Sequence, residues 1–202
     1  MSILRNIGMQ FKKPGGIPGV IISELMKIGN RPAYENLLRD LMIQASDKVL
    51  EIGYGPGMGI GLVSQRTKTS EIYGIDYSEL MYRRATKRNI RVIKNNRVHL
   101  MFGDFVETEL NTTDFDKIFC INVVYFWDDL LKPFGKVHSL LKDNGTFCIY
   151  MAGKDELNNA KYTSNDIFNK YSIEQLLNAL RSCGFNDVAY YFKKGYYIRA
   201  RK

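Results

Sequence analysis

A glycine-rich segment beside acidic residues is the part of this sequence best suited to chemistry. Residues 51–57 read EIGYGPG and continue a short apolar run that begins at Lys48. Glycines between a strand and a helix let backbone N–H groups approach a ligand closely. The spacing is G-x-G-x-G, with Met58 where a dinucleotide-binding loop has its last glycine, and no G-K-[ST] ending follows. The segment predicts a ligand loop of another type, and Glu51 favours an ammonium group there over a pyrophosphate.

Polar and aromatic residues follow the next three predicted strands. Asp76 ends the second strand, where a carboxylate can accept hydrogen bonds from both hydroxyls of a ribose. Asp104 follows the third strand and can accept from an exocyclic amine such as that of adenine. Asn122 ends the fourth strand, and Tyr125 and Trp127 come directly after it. These two aromatic residues are candidates for the wall of a substrate cavity, or they pack against the N-terminal segment.

In these motifs the sequence resembles the class I S-adenosylmethionine (SAM) dependent methyltransferases. The resemblance runs from about Asp47 to the C-terminus. The E-x-G-x-G-x-G at 51–57 resembles the family's first motif, the segment 74–81 its second, and Gly103-Asp104 its third. The segments 49–104 and 122–127 are most similar to small bacterial enzymes of the ubiquinone/menaquinone methyltransferase-like kind, many of which act on small molecules.

The resemblance implies a role for each matching residue. The residues implied at the methionine part of SAM, or of its product S-adenosylhomocysteine, are Glu51, Gly53, Gly55, Gly57 and Asn122, and Tyr54 is implied as a further cofactor-binding residue. Glu51 would lie near the amino group, usually through water, and Asn122 would use its carbonyl. Asp76 would hold the ribose, and Tyr77 would pack on the adenine. Asp104 would accept from the adenine amine, with the backbone of Phe105 facing the ring.

Strands and helices alternate along the chain that must position these residues. Strands are predicted at 48–52, 72–75, 98–102, 117–124, 147–151, 188–192 and 196–200, and helices at 57–65, 78–94, 130–141 and 173–183. Near-continuous apolar strands that alternate with helices predict a parallel sheet covered on both faces. Lys193-Lys194-Gly195 forms the turn of a C-terminal β-hairpin. The predicted fold is α/β: a Rossmann-like, seven-stranded, mostly parallel sheet, to which the hairpin adds an antiparallel strand.

The first thirty residues differ from the rest and are predicted to form a lid segment, 1–30, on a single SAM-binding domain, 31–202. The Pro/Gly cluster at 13–19 predicts a loop, with Gly15, Gly16 and Gly19 as hinges. A short helix is expected at 20–28, and a second one from Pro32 to about Gln44. Residues 17–26 are also apolar enough to lie on a membrane surface, although a lid over the cofactor is favoured.

Composition and charge limit the functional classes. The 202 residues fit one domain, and 29 basic against 21 acidic residues give a net charge of +8, which favours anionic partners. Seven basic residues between 83 and 97 could be a footprint for RNA, although a solvated helix face is favoured. With three cysteines and two histidines no metal site is predicted, and reduced thiols indicate a cytoplasmic protein. Neither an apolar run of membrane-spanning length nor a secretory signal is found.

The sequence therefore predicts a SAM-dependent methyltransferase that acts on a small molecule, with secondary metabolism as one setting. The acceptor could be oxygen, nitrogen or carbon, and the substrate anionic, apolar or aromatic. One alternative is an RNA or protein methyltransferase that uses the basic segment 83–97. The residues Asn122-Val123-Val124-Tyr125 lack the two prolines of the D/N-P-P-Y motif, which speaks against methylation of DNA bases or glutamine. A second alternative is a SAM-binding regulator without catalysis. No catalytic acid or base is assigned, because positioning can carry most of a methyl transfer.

Overall fold

The computed structural model describes residues 3–164 and 166–202 of the chain. Its strands are β1 (Lys48–Ile52), β2 (Glu71–Asp76), β3 (Val98–Phe102), β4 (Phe115–Ile121), β5 (Leu141–Met151), β6 (Asp187–Phe192) and β7 (Tyr196–Arg201). Its helices are α1 (Ile3–Lys12), α2 (Gly16–Asp40), α3 (Met58–Arg66), α4 (Glu79–Arg88), α5 (Ile90–Lys94), α6 (Leu131–Leu140), α7 (Lys154–Asn159) and α8 (Ile173–Ser182).

All seven strands form one sheet in the order β3-β2-β1-β4-β5-β7-β6. Strands β1 to β5 pair in parallel, and β7 pairs antiparallel with both β5 and β6. This arrangement confirms the predicted Rossmann-like fold and its C-terminal hairpin. The order of strands reverses between β1 and β4, so a crevice opens beyond their carboxyl ends, where ligands bind on such sheets.

The two faces of the sheet carry separate hydrophobic clusters. Along β1, Val49 belongs to one cluster and Leu50 to the other, as the alternation of side chains in a strand requires. Helices α6 and α8 cover the first face through residues such as Phe134 and Leu176. Helices α2 and α3 cover the second face through residues such as Leu37 and Val63. Because both faces are covered, the strands that carry the glycine loop and its acidic neighbours are held rigidly.

The N-terminal region differs from the sequence prediction. The predicted loop is confined to residues 13–15, and the helices predicted at 20–28 and from Pro32 form but are joined. The predicted break between them is wrong: α1 occupies residues 3–12, and α2 runs without a break from Gly16 to Asp40. Pro18 is accommodated because the first turn of a helix leaves its N–H groups unpaired. Pro32 lies inside α2, where it removes one backbone hydrogen bond. The helix continues because Tyr34 and Leu37, which come directly after, are buried in the core.

Two smaller differences affect the site. The predicted helix 78–94 is divided into α4 and α5 at Asn89, whose side-chain amide donates to the carbonyls of Ala85 and Gly57. Strand β4 ends at Ile121 rather than at residue 124, because Asn122 adopts a left-handed conformation with φ of 57°. A short 3-10 turn, Val124–Phe126, follows. The strand therefore stops early, and the chain turns beside the crevice.

Candidate functional site

A cavity of about 300 Å³ lies beyond the carboxyl ends of β1, β2 and β4. Of the sequence-predicted residues, those that line it are Gly53, Gly55, Asp76, Tyr77, Asp104, Phe105, Asn122 and Trp127. Residues from four separate strand ends thus meet at one place. Glu51, Tyr54, Gly57 and Tyr125 are not among the lining residues.

Gly55 is the point at which the glycine loop opens to the cavity. Its φ is 51°, in the left-handed region that favours glycine, and a Cβ built on it would meet no atom within 4 Å. Gly53, in contrast, faces protein, because a Cβ there would lie 2.4 Å from the Cγ2 of Val123. The backbone at Gly55 is therefore the part of the loop that a ligand can approach directly.

Asp76 holds the glycine loop in place from the end of β2. One carboxylate oxygen accepts the Gly55 N–H at 2.8 Å, and the other accepts the Ser78 N–H at 2.9 Å. Burial raises the pKa of Asp76 to about 6, and these two N–H groups act in the opposite direction by stabilising the charged form. The side chain remains partly exposed to the cavity. Each oxygen accepts a single hydrogen bond from the protein and can accept another from a ligand.

Glu51 lies behind the loop, away from the cavity. It is fully buried, and its Oε1 accepts a hydrogen bond from the Tyr34 hydroxyl of α2 at 2.7 Å. Burial raises the pKa of Glu51 to about 8. Hydrogen bonds from Tyr34 and from the Ile60 backbone lower this pKa, and the charge of Asp76 raises it further. The Oε2 of Glu51 has no partner among the described residues. The role near a ligand amino group that the resemblance implies for Glu51 stays a prediction.

Gly59, which was not predicted as a site residue, leaves space for the buried Glu51 carboxyl because it has no side chain. A Cβ on Gly59 would lie 2.4 Å from both oxygens of Glu51 and 2.5 Å from the ring of Tyr34. Any other residue would therefore push α3 away from β1. The sequence signal was present, since the loop continues as Gly57-Met58-Gly59, but the pattern does not reveal which glycine faces the ligand.

Tyr54 and Gly57 point into the protein. The Tyr54 hydroxyl donates to the carbonyl of Met101 at 3.0 Å, and its ring lies against Gly74 of β2. A Cβ on Gly57 would lie 2.8 Å from the Cβ of Ala85 in α4. These residues shape the loop from behind, and the structure does not place either of them at the cavity wall.

Asp104 and Tyr77 lie at the cavity wall. Asp104 is exposed, and its Oδ1 accepts the Val106 N–H at 2.8 Å, which fixes the turn after β3. The Lys13 ammonium lies 5.2 Å from the centre of the Tyr77 ring, a cation–π contact between the N-terminal region and this wall. A flat ligand group could pack on Tyr77 within reach of the Asp104 carboxylate.

Asn122 connects the end of β4 to helix α2. Its side-chain amide donates to the Oδ1 of Asn30 at 3.1 Å, and its own Oδ1 accepts the Tyr125 hydroxyl proton at 2.9 Å. The Tyr125 hydroxyl also accepts the N–H of Ala152. Burial raises the pKa of Tyr125 well above its ordinary value, so this hydroxyl is a structural group and not a base.

Trp127 and Phe126 form the aromatic part of the cavity wall. The Trp127 carbonyl accepts hydrogen bonds from the Asn169 amide at 3.0 Å and from the Tyr171 hydroxyl at 2.7 Å. Its ring packs edge-on against Phe134 of the core. The segment before α8 thus holds this aromatic wall in position through Asn169 and Tyr171.

The N-terminal region covers the cavity, and its lining residues are Phe11, Lys12, Pro14 and Met26. The Ser78 hydroxyl, which caps α4 by accepting the Met81 N–H, donates to the carbonyl of Pro14 at 2.7 Å. Gly16 has a positive φ of 59°, whereas Gly19 is buried inside α2 against Pro14. Of the three predicted hinge glycines, Gly19 is therefore a packing residue.

The basic segment 83–97 is partly used within the protein. Arg84 pairs with Glu24 of α2, Arg83 pairs with Glu79 at 2.6 Å, and Arg97 donates to the carbonyl of Thr67. The remaining members, which have no hydrogen bond or ion pair with described residues, are Lys87, Arg88, Arg91 and Lys94. The segment is thus a part of the fold as well as a charged surface.

Comparison with known proteins shows what the chain is similar to. Residues 49–145 match the family described as a methyltransferase domain. The chain is 26% identical over 174 residues to the uncharacterized methyltransferase YdaC of Bacillus subtilis, a match that covers 86% of this chain and 91% of that protein. These findings confirm the expected resemblance to the class I SAM-dependent methyltransferases.

Solved structures share the fold. An S-adenosylmethionine dependent methyltransferase from Mesorhizobium loti superposes with a TM-score of 0.70 at 17% identity, covering 86% of this chain and 97% of that one. Phosphoethanolamine N-methyltransferase 2 of Haemonchus contortus, in complex with S-adenosyl-L-methionine, superposes with a TM-score of 0.67 at 22% identity, covering 80% of this chain and 38% of that one. No helix within residues 3–164 and 166–202 is both long and apolar enough to span a membrane.

Proposed function

We propose that this chain is a class I methyltransferase, which its matched domain and its fold support, and that it transfers the methyl group of SAM to a small-molecule acceptor. One observation carries the proposal. The open backbone at Gly55, the carboxylates of Asp76 and Asp104, and the aromatic wall at Trp127 line a single cavity that the N-terminal region covers.

The donor groups of this cavity fit SAM. The Asp76 oxygens, each with one protein donor, suit the two hydroxyls of the ribose. The exposed Asp104 carboxylate and the Tyr77 ring suit the amine and the face of an adenine. The cavity has room beside Gly55 and Asn122 for the methionine part. A phosphate would meet three carboxylates there, those of Asp76, Asp104 and Asp128, which disfavours a dinucleotide.

The catalytic contribution that we propose for the protein is orientation and the exclusion of water. Bound SAM supplies an electrophilic methyl group, and the acceptor must lie in line with it. Ile52 and Ile121 at the strand ends, with Phe11 and Met26 from the N-terminal region, surround the space with apolar side chains. Burial raises the pKa of Tyr77 at the cavity wall to about 12, which does not suit a general base at neutral pH, and we assign no catalytic base.

The size of the covered space favours a small acceptor. We propose that residues 1–30 act as a lid on the domain 31–202, with α1 against the segment before α8. Phe11 stacks on Tyr162 with ring centres 4.8 Å apart, and Gly8 lies against the Tyr162 carbonyl. An RNA or protein chain would have to displace these contacts. The intramolecular pairs of Arg83 and Arg84 also reduce the charge that the basic segment offers to RNA.

The experiment that tests the function uses SAM labelled in its methyl group. The purified protein is incubated with this SAM and a fractionated cell extract, with Asp76→Ala as the matched control. Label in the small-molecule or lipid fraction, lost in the control, supports the proposal. Label in RNA or protein supports the alternative that uses the basic segment. SAM binding without transfer to any fraction supports a regulator and contradicts the proposal.

A further inference from the structure

Helix α2 exposes a continuous apolar surface on the outside of the protein. Four large side chains repeat at helical spacing and are strongly exposed: Ile17 (79%), Ile21 (58%), Leu25 (62%) and Ile28 (70%). Residues at i, i+4, i+8 and i+11 fall on one face of a helix and extend for about 16 Å along it. We call these four residues the outer stripe. Exposed apolar surfaces of this kind mark interaction sites more often than single exposed residues do.

The opposite face of α2 is fixed to the protein body, so the outer stripe cannot turn inward. Gly19 and Ser23 are buried, and a Cβ on Gly19 would lie 2.9 Å from the carbonyl carbon of Pro14. Met26 lines the cavity, and Asn30 accepts the hydrogen bond from Asn122. A single helix thus carries the cavity cover on one side and the outer stripe on the other.

Basic groups stand next to the outer stripe. Glu24, which neighbours Leu25 on the helix, lines a shallow depression together with Arg84, Lys87 and Arg88 of α4. Arg84 and Lys27 both pair with Glu24, whereas Lys87 and Arg88 have no hydrogen-bond or ion-pair partner among the described residues. The surface beside the stripe therefore carries unneutralised positive charge, on a chain whose net charge is +8.

We propose that the outer stripe docks on an anionic lipid bilayer, with α2 lying flat in the headgroup region. A helix that places apolar side chains toward the acyl boundary, with cations beside them, has the design of an interfacial helix. Lys87 and Arg88 would contact lipid phosphates while the stripe enters the apolar layer. A second copy of the chain is the less suitable occupant, because it would bring the same positive charge to the same surface.

The proposal is independent of the acceptor, since the outer stripe lies outside the cavity. It does imply that the cavity cover and the bilayer touch the two sides of one helix. An apolar acceptor dissolved in the membrane would then have a short path to the cavity. A water-soluble acceptor is equally compatible with docking, so the surface is tested without reference to methyl transfer.

The test is co-sedimentation of the full chain with vesicles. Vesicles of phosphatidylcholine alone are compared with vesicles that also contain phosphatidylglycerol, at low and at high salt. We expect binding to the anionic vesicles that weakens with salt. Ile21→Ser with Leu25→Ser should lower the partition coefficient by roughly tenfold or more, because two apolar side chains leave the interface. Leu131→Ser, which alters a 52% exposed leucine of α6, is the matched control and should bind normally.

Three results would overturn the proposal. One is the absence of binding to both kinds of vesicle, and another is equal binding by the double variant and the wild type. The third is a dimer in solution without lipid that the double variant converts to a monomer, because the stripe would then be a contact between two copies. S-adenosylhomocysteine binding, measured on the same samples, shows whether the cavity is intact. A failure of docking is thereby separated from a failure of the proposed function.

Discussion

Asp76 holds the glycine loop and also faces the cavity in which we propose that the ligand binds. Its two oxygens hold the N–H groups of Gly55 and Ser78, and the same carboxylate faces the cavity. The sequence predicted a ligand role for Asp76 or, as the alternative, a turn role. The structure shows the turn role directly and leaves room for the ligand role. A carboxylate accepts more hydrogen bonds than one neighbour can supply, so the two roles do not compete.

Replacing Asp76 with alanine should weaken SAM binding by about 1–3 kcal/mol, because a charged hydrogen-bond acceptor is lost. Isothermal titration of SAM into the folded variant measures the change. Asp116→Ala is the matched control, since Asp116 also accepts a backbone N–H, that of Lys48, but does not line the cavity. Unchanged affinity in a folded Asp76→Ala protein would show that the cofactor site lies elsewhere.

SAM affinity should also depend on pH through Asp76. The ribose hydroxyls bind the ionised carboxylate, whose pKa is about 6 in the protein. Affinity should therefore be constant above this pH and fall as the pH decreases through it. One linked proton predicts binding about tenfold weaker at pH 5 than at pH 7.5. Asp76→Asn should bind more weakly at pH 7.5 and should lose this dependence. An identical pH profile in the two proteins would contradict the assignment.

Glu51 should make folding stability fall as the pH rises from about 5 to 8. Its pKa is about 8 in the folded protein and near its ordinary value of 4.5 in the unfolded chain. The folded state thus holds one more proton over this range, which lowers the free energy of unfolding by up to about 1.4 kcal/mol per pH unit. Glu51→Gln keeps an acceptor for Tyr34 and removes the proton. Thermal melts at several pH values should show a flatter profile, and parallel profiles would refute the buried neutral carboxyl.

At the scale of elements, the sheet was predictable and the N-terminal helices were not. Strands β1 to β3 are short runs that end at, or are followed by, glycine or aspartate, and these signals are local. The path of α2 depends on contacts that the local sequence does not reveal. Pro18 and Pro32 are helix breakers in isolation, yet Pro18 lies in the first turn and Pro32 precedes the buried Tyr34. Tertiary packing therefore outweighs local propensity in this helix.

The sequence predicted which residues of the candidate site lie near the cavity, but not the directions in which their side chains point. Alternate residues of a strand and its following turn face opposite sides, so the spacing placed Gly55 and Asp76 at the crevice. The same spacing could not show that Tyr54 turns toward Met101 or that Glu51 turns toward Tyr34. Those directions depend on α2 and β3, which are distant in sequence. The four cavity residues from the N-terminal region were missed for the same reason.

Ser78 should stabilise both helix α4, which it caps, and the N-terminal region that covers the cavity. Ser78→Ala removes the acceptor of the Met81 N–H and the donor to Pro14, so we expect a loss of roughly 1 kcal/mol in stability together with faster trypsin cleavage after Lys12. Ser172→Ala is the matched control, because it removes the capping box of α8, which is distant from Pro14. Ser172→Ala should lower the free energy of unfolding by a similar amount, but trypsin should not cleave this variant faster. Equal cleavage rates in the two variants would disprove the connection.

At the scale of the whole molecule, the hydrophobic core and the N-terminal region that covers the cavity are formed by different parts of the chain. The buried residues of both hydrophobic clusters begin at Ala33, and the only buried residue of α1 is Gly8. Helix α1 contributes to the covering of the cavity through Phe11, which stacks on Tyr162 of the segment before α8. The helix adds little to the core. The stability of the fold and the retention of its ligand are therefore expected to respond to different parts of the chain.

Deletion of residues 1–14 should leave one cooperative unfolding transition and should accelerate SAM dissociation. Cooperativity is expected to remain because the buried residues of both clusters stay, although the partly buried Phe11 that packs against one of them is lost. The cavity loses Phe11, Lys12 and Pro14 from its wall. Calorimetry measures the first property, and stopped-flow competition with S-adenosylhomocysteine measures the second. A variant that unfolds cooperatively but releases SAM at the wild-type rate would argue against the lid.

The continuity of α2 has a consequence for how the cavity can open. Its first half contributes Met26 to the cavity wall, and its second half carries Tyr34, which donates to the carboxyl of Glu51 beneath the glycine loop. A movement of the helix as a rigid rod would uncover the cavity and weaken that hydrogen bond in one step. Water would then reach the Glu51 carboxyl, and this group would release its proton. Ligand exchange and proton release thus become thermodynamically coupled, and alkaline solution should favour the open form.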